Sequence, residues 1–298
     1  MIRSNLTISI IVPVWNSERT IEMTVGALLM QTLAADEIII VDDGSTDRTT
    51  ARLAGFGDRI RIVRRENGGP AAARNTGVRE ARGEMIAFTD SDCLPERSWL
   101  ADLLAGFDVA DSTRLAGVGG VVRGIGGGLT SEYIDLIRLL DPEPDANGEI
   151  PYLITANACF RREALTGVGL FDEGFRRPGG EEAELGYRLR RGGYQFKLAP
   201  TAVVYHHHRQ SFDGLMRTLI NYGAGAARIA NLWPERRIER PLFLMLRQLA
   251  SPRAMTRRWR DRTFAHGWRR GLYFALLDHL RHPAFLLGYR LGTRKTAN

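Results

Sequence analysis

Two hundred and ninety-eight residues suffice for one large α/β domain, or for a domain with a helical extension. A hydrophobic fraction of 44% and a charged fraction of 25% are those of a globular chain and exclude a disordered or fibrous one. The two cysteines, Cys93 and Cys159, exclude a disulfide framework. No apolar run approaches the roughly 18 residues of a membrane-spanning helix, so the expectation is a cytoplasmic protein. Net charge is +7 but uneven: residues 205–298 hold 18 Lys and Arg against 5 Asp and Glu, leaving +13 there and −6 in the first 204 residues. A basic tail on an acidic body fits contact with anionic lipid, nucleic acid or an acidic acceptor.

In chain order, Ile8-Ser9-Ile10-Ile11-Val12-Pro13-Val14 follows a single Arg3 and no small-residue cleavage site. It reads as a buried strand, within about 6–13, and not as a signal peptide. Helical patterns follow at about 17–30, 46–54, 70–81 and 95–106, alternating with strands at about 37–42, 60–63 and 84–89. That alternation predicts a mostly parallel sheet flanked by helices. Next come a strand near 116–122, a turn from Gly124 to Gly128, a Pro/Asp loop near 141–151 and an extended stretch from Thr155 to Phe160. Glu181 to Arg191 reads as a helix and Tyr194 to His208 as extended. From Phe212 onward the pattern is helical and rich in arginine.

Three strand ends carry chemistry. Strand 37–42 runs into Asp42-Asp43-Gly44-Ser45-Thr46-Asp47. Ligands of open parallel sheets bind beyond the carboxyl ends of strands, where such acids accept from a base N–H or ribose hydroxyls. Capping explains Ser45 and Thr46 equally well. After the third strand, Asn67-Gly68-Gly69-Pro70-Ala71-Ala72-Ala73-Arg74-Asn75 combines a close-approach turn, a helix start and an arginine one turn in. That fits a diphosphate at a helix N-terminus, or an ordinary capped helix. The fourth strand ends in Thr89-Asp90-Ser91-Asp92, whose i, i+2 carboxylates suit a hard cation, Mn²⁺ or Mg²⁺, that also binds phosphate; the alternative is a surface turn.

Together, Ser9 to Asn16, Val41 to Asp47, Gly69 to Asn75 and Asp90-Ser91-Asp92 resemble, in this order, the family 2 glycosyltransferases, strongly over about residues 6–210 and weakly beyond. The resemblance implies an α/β fold of GT-A type: a Rossmann-like, mostly parallel sheet flanked by helices, with a basic C-terminal helical extension. It implies a domain over 1–210, with a nucleotide-sugar half to about 122 and an acceptor half over 123–210, and an extension over 211–298. The implied activity is metal-dependent, inverting transfer from a nucleotide diphosphate sugar (UDP, GDP or dTDP type) to a carbohydrate, lipid-linked or small-molecule acceptor. A non-catalytic nucleotide-sugar sensor or scaffold of the same fold is the alternative. Implied nucleotide contacts are Pro13, Val14, Asn16, Asp42, Asp43, Gly69, Arg74, Asp90 and Ser91, with Asp92 on the metal. Thr155, Ala156, Asn157 and Glu184 are implied around the sugar and acceptor. Gly179-Gly180-Glu181-Glu182-Ala183-Glu184-Leu185 matches the family's Gly-Glu-Asp-x-Asp/Glu-Leu, whose Asp is the catalytic base. Here that position is Glu182, longer by one methylene, with Glu181 the other candidate.

His206-His207-His208 closes the last strand, where residues two apart share a face. The resemblance implies a histidine here near the metal or diphosphate; His206 is the expected second metal ligand and His208 the next choice. In the tail, Phe264, Trp268, Leu272 and Ala275 recur at helical spacing beside Arg262, Arg269, Arg270 and Arg281. This reads either as a membrane-surface helix, placing the protein peripherally on the inner face of the cytoplasmic membrane, or as a helix packed on the domain. A sugar-nucleotide pyrophosphorylase would want a glycine-rich basic loop after the first strand, which is absent. The tail carries no nucleic-acid motif, and no nucleic-acid partner is expected.

Overall fold

A computed structural model describes residues 6–107, 114–142, 144–207, 211–236 and 252–294, with 252–255 and 294 as backbone alone. His208 and residues 237–251 of the tail fall outside these residues. The chain divides into two compact units. The first comprises Met1–Ile125, Arg138–Arg177 and Glu181–His207; the second comprises Gly126–Ile137, Pro178–Gly180 and His208–Asn298.

The first unit holds one eight-stranded sheet. Its strands are β1 (Ile8–Val14), β2 (Glu37–Asp42), β3 (Arg61–Arg64), β4 (Met85–Phe88), β5 (Cys93–Pro95), β6 (Leu115–Gly124), β7 (Ala158–Arg161) and β8 (Gln195–His206), ordered β3-β2-β1-β4-β7-β6-β8-β5. The pairs among β3, β2, β1 and β4 are parallel, as is β6 with β8; β7 runs antiparallel between β4 and β6, and β5 antiparallel to β8. The expected mostly parallel sheet flanked by helices, with helices at the C-terminus, is therefore present. Ile38 to Val41 are all buried, as an Ile/Val run must be when helices cover both faces of a parallel sheet.

The helices of this unit are α1 (Ile21–Leu29), α2 (Thr49–Ala54), α3 (Pro70–Glu80), α4 (Trp99–Ala105), α6 (Arg162–Gly167) and α7 (Glu181–Arg191); α5 (Leu129–Leu136) belongs to the second unit. Pro70 opens α3 behind Gly69, whose φ of +92° suits glycine. A Cβ on Gly77 of α3 would collide with the Ile11 side chain, so only glycine lets this helix sit so low on β1.

Three boundaries differ from the sequence expectation. Helix α2 begins at Thr49, not 46, because the Thr46 and Asp47 N–H groups donate to Asn16 Oδ1. Helix α4 begins at Trp99, not 95, because residues 93–95 pair with β8. Thr155–Asn157 is a 3₁₀ turn and not extended, and the strand starts only at Ala158.

In the second unit, α5 accompanies α8 (Phe212–Leu232), α9 (Pro252–His266) and α10 (Trp268–Arg294). Cβ atoms on Gly223 or Gly288 would strike the Phe285 and Ile220 carbonyls, so α8 and α10 cross backbone to backbone. No helix among the described residues is long and apolar enough to cross a membrane.

Candidate active site at the carboxyl edge of the sheet

The loops after β1 and β2 are tied together by side chains. Asn16, at φ +50°, accepts from Thr46 N–H at 2.8 Å and donates its own N–H to Ser45 Oγ at 3.0 Å. Its predecessors Pro13 and Val14 end β1, and the Val14 carbonyl accepts the Asp43 N–H at 2.9 Å.

The Asp42-Asp43 pair is used internally. Asp42 is fully buried and accepts from Ser45 N–H at 2.8 Å and the Thr50 hydroxyl at 3.0 Å, with Arg64 Nε 3.7 Å away. Asp43 accepts from Gly68 N–H at 3.0 Å and Gly69 N–H at 2.8 Å, and Arg65 lies 3.4 Å from it. The N–H groups that the sequence offers to a diphosphate are thus taken by Asp43. The Gly69 α-carbon in turn abuts the Arg176 backbone, where a Cβ would collide.

Arg74 is buried and paired with two carboxylates. Its two terminal nitrogens donate to Asp90 Oδ1 at 3.2 Å and Glu181 Oε1 at 3.0 Å, and its buried Nε has no hydrogen-bond partner among the described residues. This arginine joins the end of β4 to the start of α7. Ser91 Oγ lies 2.7 Å from Ser17 Oγ and its carbonyl accepts from Thr24, locking the turn that presents Asp90 and Asp92.

The β5/β8 register sets Cys93 opposite His206. His206 Nε2 consequently lies 3.4 Å from Asp92 Oδ1, and the His207 N–H donates to the Asp92 carbonyl at 2.9 Å. Donor atoms of Asp92, Cys93 and His206 all fall within 4.8 Å of one another. Cys93 is fully buried, which pushes its thiol well above the ordinary range and keeps it neutral. The remaining carboxylate oxygen and imidazole nitrogen are a donor pair that fits Mn²⁺ or Mg²⁺.

At the start of α7 two adjacent glutamates part company. Glu181 is buried against Arg74. Glu182 accepts the Thr155 N–H at 2.6 Å and the Thr155 hydroxyl through the same oxygen, Oε1. Burial, then the charge of Glu181, push the Glu182 carboxyl up to about 7; Arg74 and the two Thr155 hydrogen bonds pull the other way. A carboxyl group titrating near neutrality is matched to proton transfer.

Neighbouring candidates serve the framework. The Ala156 carbonyl accepts from the Thr89 hydroxyl at 2.9 Å. Asn157 accepts from Trp99 Nε1 at 2.8 Å and donates to the Val121 and Ala202 carbonyls at 2.9 Å each, an internal strut. Glu184 binds Arg188 through both oxygens at 2.7 Å, and Arg188 donates on to the Val168 and Leu170 carbonyls. Glu184 thereby braces the loop before α7 and its carboxylate is occupied. What the sequence did not reveal is the Thr155 grip on Glu182, a contact between residues 27 apart with no local pattern to announce it.

The family model for glycosyl transferase family 2 matches residues 9–169, more than half of the chain. The pre-mycofactocin glycosyltransferase of Mycobacterium tuberculosis is 30% identical over 241 residues, covering 78% of this chain and 49% of that protein. This chain thus spans about half the length of that relative. Among solved structures, the mannosyltransferase PcManGT from Pyrobaculum calidifontis, in complex with GDP-Man and Mn²⁺, matches with a TM-score of 0.62 at 21% identity, over 99% of this chain and 76% of that one. The glucosyl-3-phosphoglycerate synthase of Mycobacterium tuberculosis, with Mn²⁺, UDP-glucose and phosphoglyceric acid, matches at 0.51 and 23% identity, over 76% and 79%. At these identities the structures speak for the fold, whereas the family model and the 30% identical relative speak for descent: the chain belongs to glycosyl transferase family 2.

Proposed function

We propose that this protein is an inverting glycosyltransferase that moves a sugar from a nucleoside diphosphate sugar of UDP, GDP or dTDP type onto the hydroxyl of a carbohydrate, lipid-linked or small-molecule acceptor. The observation that carries the reading is the split glutamate pair: Glu181 held by Arg74, and Glu182 held by the Thr155 N–H and hydroxyl. Solved neighbours with GDP-Man and Mn²⁺, and with UDP-glucose and Mn²⁺, support the donor class.

In the proposed step Glu182 takes the proton of the acceptor hydroxyl as that oxygen bonds to the anomeric carbon. The bond from that carbon to the diphosphate oxygen breaks on the opposite face, and its electron pair leaves with the nucleoside diphosphate. A single displacement inverts the centre. Thr155 binds one oxygen of Glu182 and so turns the other toward the acceptor. Glu181, paired with Arg74, raises its neighbour's proton affinity. Asp92 and His206 would hold Mn²⁺ or Mg²⁺, which when bound neutralises charge on the leaving diphosphate. Asp42, Asp43 and Asn16 serve the nucleotide through the backbone turns they shape, and Asp90 and Ser91 border the ribose and metal. Residues to about 122 form the donor half and most of 123–210 the acceptor half, whereas α5 and Pro178–Gly180 belong with the helices of 211–298.

Thermal-shift screening of nucleoside diphosphates with and without Mn²⁺ tests this reading, since binding to the folded state raises the melting temperature by mass action. Mn²⁺-dependent stabilisation by one diphosphate, lost in Asp92→Ala, is expected. Equal stabilisation with and without the metal would remove Asp92 from the metal site. Donor binding with no transfer to any acceptor would leave the nucleotide-sugar sensor.

A further inference from the structure

The second unit exposes a surface that the proposed transfer does not use. Helices α9 and α10 form a tight hairpin: Gly267 bridges them at φ +79°, and a Cβ on Gly271 would collide with the Thr263 backbone. Arg262 of α9 binds Asp278 of α10 at 2.8 Å, and Tyr133 of α5 donates to the same carboxylate at 2.8 Å, so the hairpin is pinned to its own unit.

Helix α10 is apolar on two sides. One carries Phe274, Leu277 and Ala284, all buried; Ala275, which shares the helical spacing of Trp268 and Leu272, also lies here at 5% exposed. The other presents Trp268 (66% exposed), Leu272, Leu276, Leu287 and Leu291, each about half exposed, along one continuous side of the helix. Phe264, beside the turn, is 94% exposed. A helix facing water on its outer side ordinarily turns polar residues that way. Exposed leucines spread over about 28 Å of the helix, from Leu272 to Leu291, are a surface built to be covered.

The surrounding charge says by what. Residues 252–294 carry ten arginines and two aspartates, and Asp278 is already buried against Arg262 and Tyr133. Arg257 and Arg260 fall on the Phe264 side of α9, and Arg269 and Arg290 beside the stripe of α10; all four are exposed. The Arg269 guanidinium lies 5.0 Å from the centre of the Trp268 ring, a pairing suited to a boundary between water and hydrocarbon. A second copy would bring a like-charged +8 surface against this one, and aliphatic leucines offer nothing to nucleic-acid bases. Anionic phospholipid complements both features: acyl chains for the stripe and phosphates for the arginines.

We propose that the α9–α10 hairpin docks on an anionic lipid surface, with Phe264, Trp268, Leu272 and Leu276 at the acyl boundary and Arg257, Arg260 and Arg269 on the phosphates. The helix lies on the membrane and does not cross it. This inference rests on the second unit alone and is independent of the transfer chemistry.

The test uses the full chain with Phe264→Cys carrying an environment-sensitive fluorophore; Cys93 and Cys159 are buried and escape labelling. Vesicles of phosphatidylcholine with one third phosphatidylglycerol should shift the emission to the blue, and pure phosphatidylcholine should not. Trp268→Glu with Leu272→Glu should weaken co-sedimentation about tenfold or more, and raised salt should weaken the parent. Both substituted residues are exposed, so the melting temperature should hold, which separates lost docking from lost fold. Equal binding to neutral and anionic vesicles, or unchanged sedimentation of the double variant, would overturn the proposal. So would emission already blue without vesicles: surviving dilution, it means that this chain covers its own stripe; fading on dilution, it means a second copy.

Discussion

Two adjacent acidic pairs stand at the edge of the same sheet, and they have opposite fates. Asp42 and Asp43 are both surrounded by donors: Ser45 N–H and the Thr50 hydroxyl for one, Gly68 and Gly69 N–H for the other. Glu181 and Glu182 are treated unequally, the first by an arginine and the second by a threonine that leaves one oxygen uncommitted. Four carboxyl groups of similar intrinsic acidity thus divide into three that stabilise structure and one suited to move a proton. The difference lies in the number and charge of the donors that distant segments deliver.

That comparison breaks most visibly in catalysis. A base is used only in the transition state, so Glu182→Gln should lower kcat by about 10²–10⁴-fold while leaving donor affinity nearly unchanged. Single-turnover transfer rates beside donor titrations check this. Near-normal transfer in Glu182→Gln together with a dead Glu181→Gln would exchange the roles of the two glutamates.

The aspartate pair should fail in the other way. Asp42→Ala strands the buried Ser45 N–H and the Thr50 hydroxyl, at a cost of about 1–3 kcal/mol, and denaturant melts should show it. Glu182→Gln should cost nothing in the same melt at pH 8. The sign follows from linkage. The folded carboxyl titrates near 7 against an ordinary 4.5, so the folded state holds the proton longer. Its contribution to stability is therefore greatest at low pH and falls as pH rises from about 4.5 to about 7. An uncharged Gln escapes that loss. A marked loss of stability in Glu182→Gln at pH 8 would make the residue a framework acid like Asp42.

Thr155→Val gives the smallest and most diagnostic effect. It removes the hydroxyl but keeps the backbone N–H, so the fold and donor affinity should persist. The transfer rate should fall about tenfold near neutrality, because the lost donor had favoured the ionised carboxylate. The pH at which transfer reaches half its plateau should move above about 7, with Thr155→Ser restoring it. A profile that drops in height without moving along the pH axis would reduce Thr155 to packing.

Much of the architecture was legible because its causes are local. The Ile/Val run at 38–41 and the apolar run Met85 to Phe88 read as doubly covered strands, and Gly69-Pro70 reads as a helix start. Strand ends place chemistry at one edge, so Asp90 and Asp92 could be picked out by position alone. Less legible were the helix starts near 46 and 95, where Asn16 and β8 claim backbone groups from about 30 and 110 residues away. The outward stripe of α10 was half legible: the spacing of Trp268, Leu272 and Ala275 appears in the sequence, but the structure exposes the first two and buries Ala275.

The sequence by itself determined the order of strands and helices, the family and the short list of carboxylates, since periodicity, turn chemistry and motif order are properties of neighbours along the chain. Only the tertiary structure decided which carboxylates are already satisfied. That depends on donors brought from Arg74, Thr155 and the Gly68-Gly69 turn by the folding of distant segments. A buried acid's proton affinity is set by those donors and by the loss of water, and neither exists until the chain has closed around it.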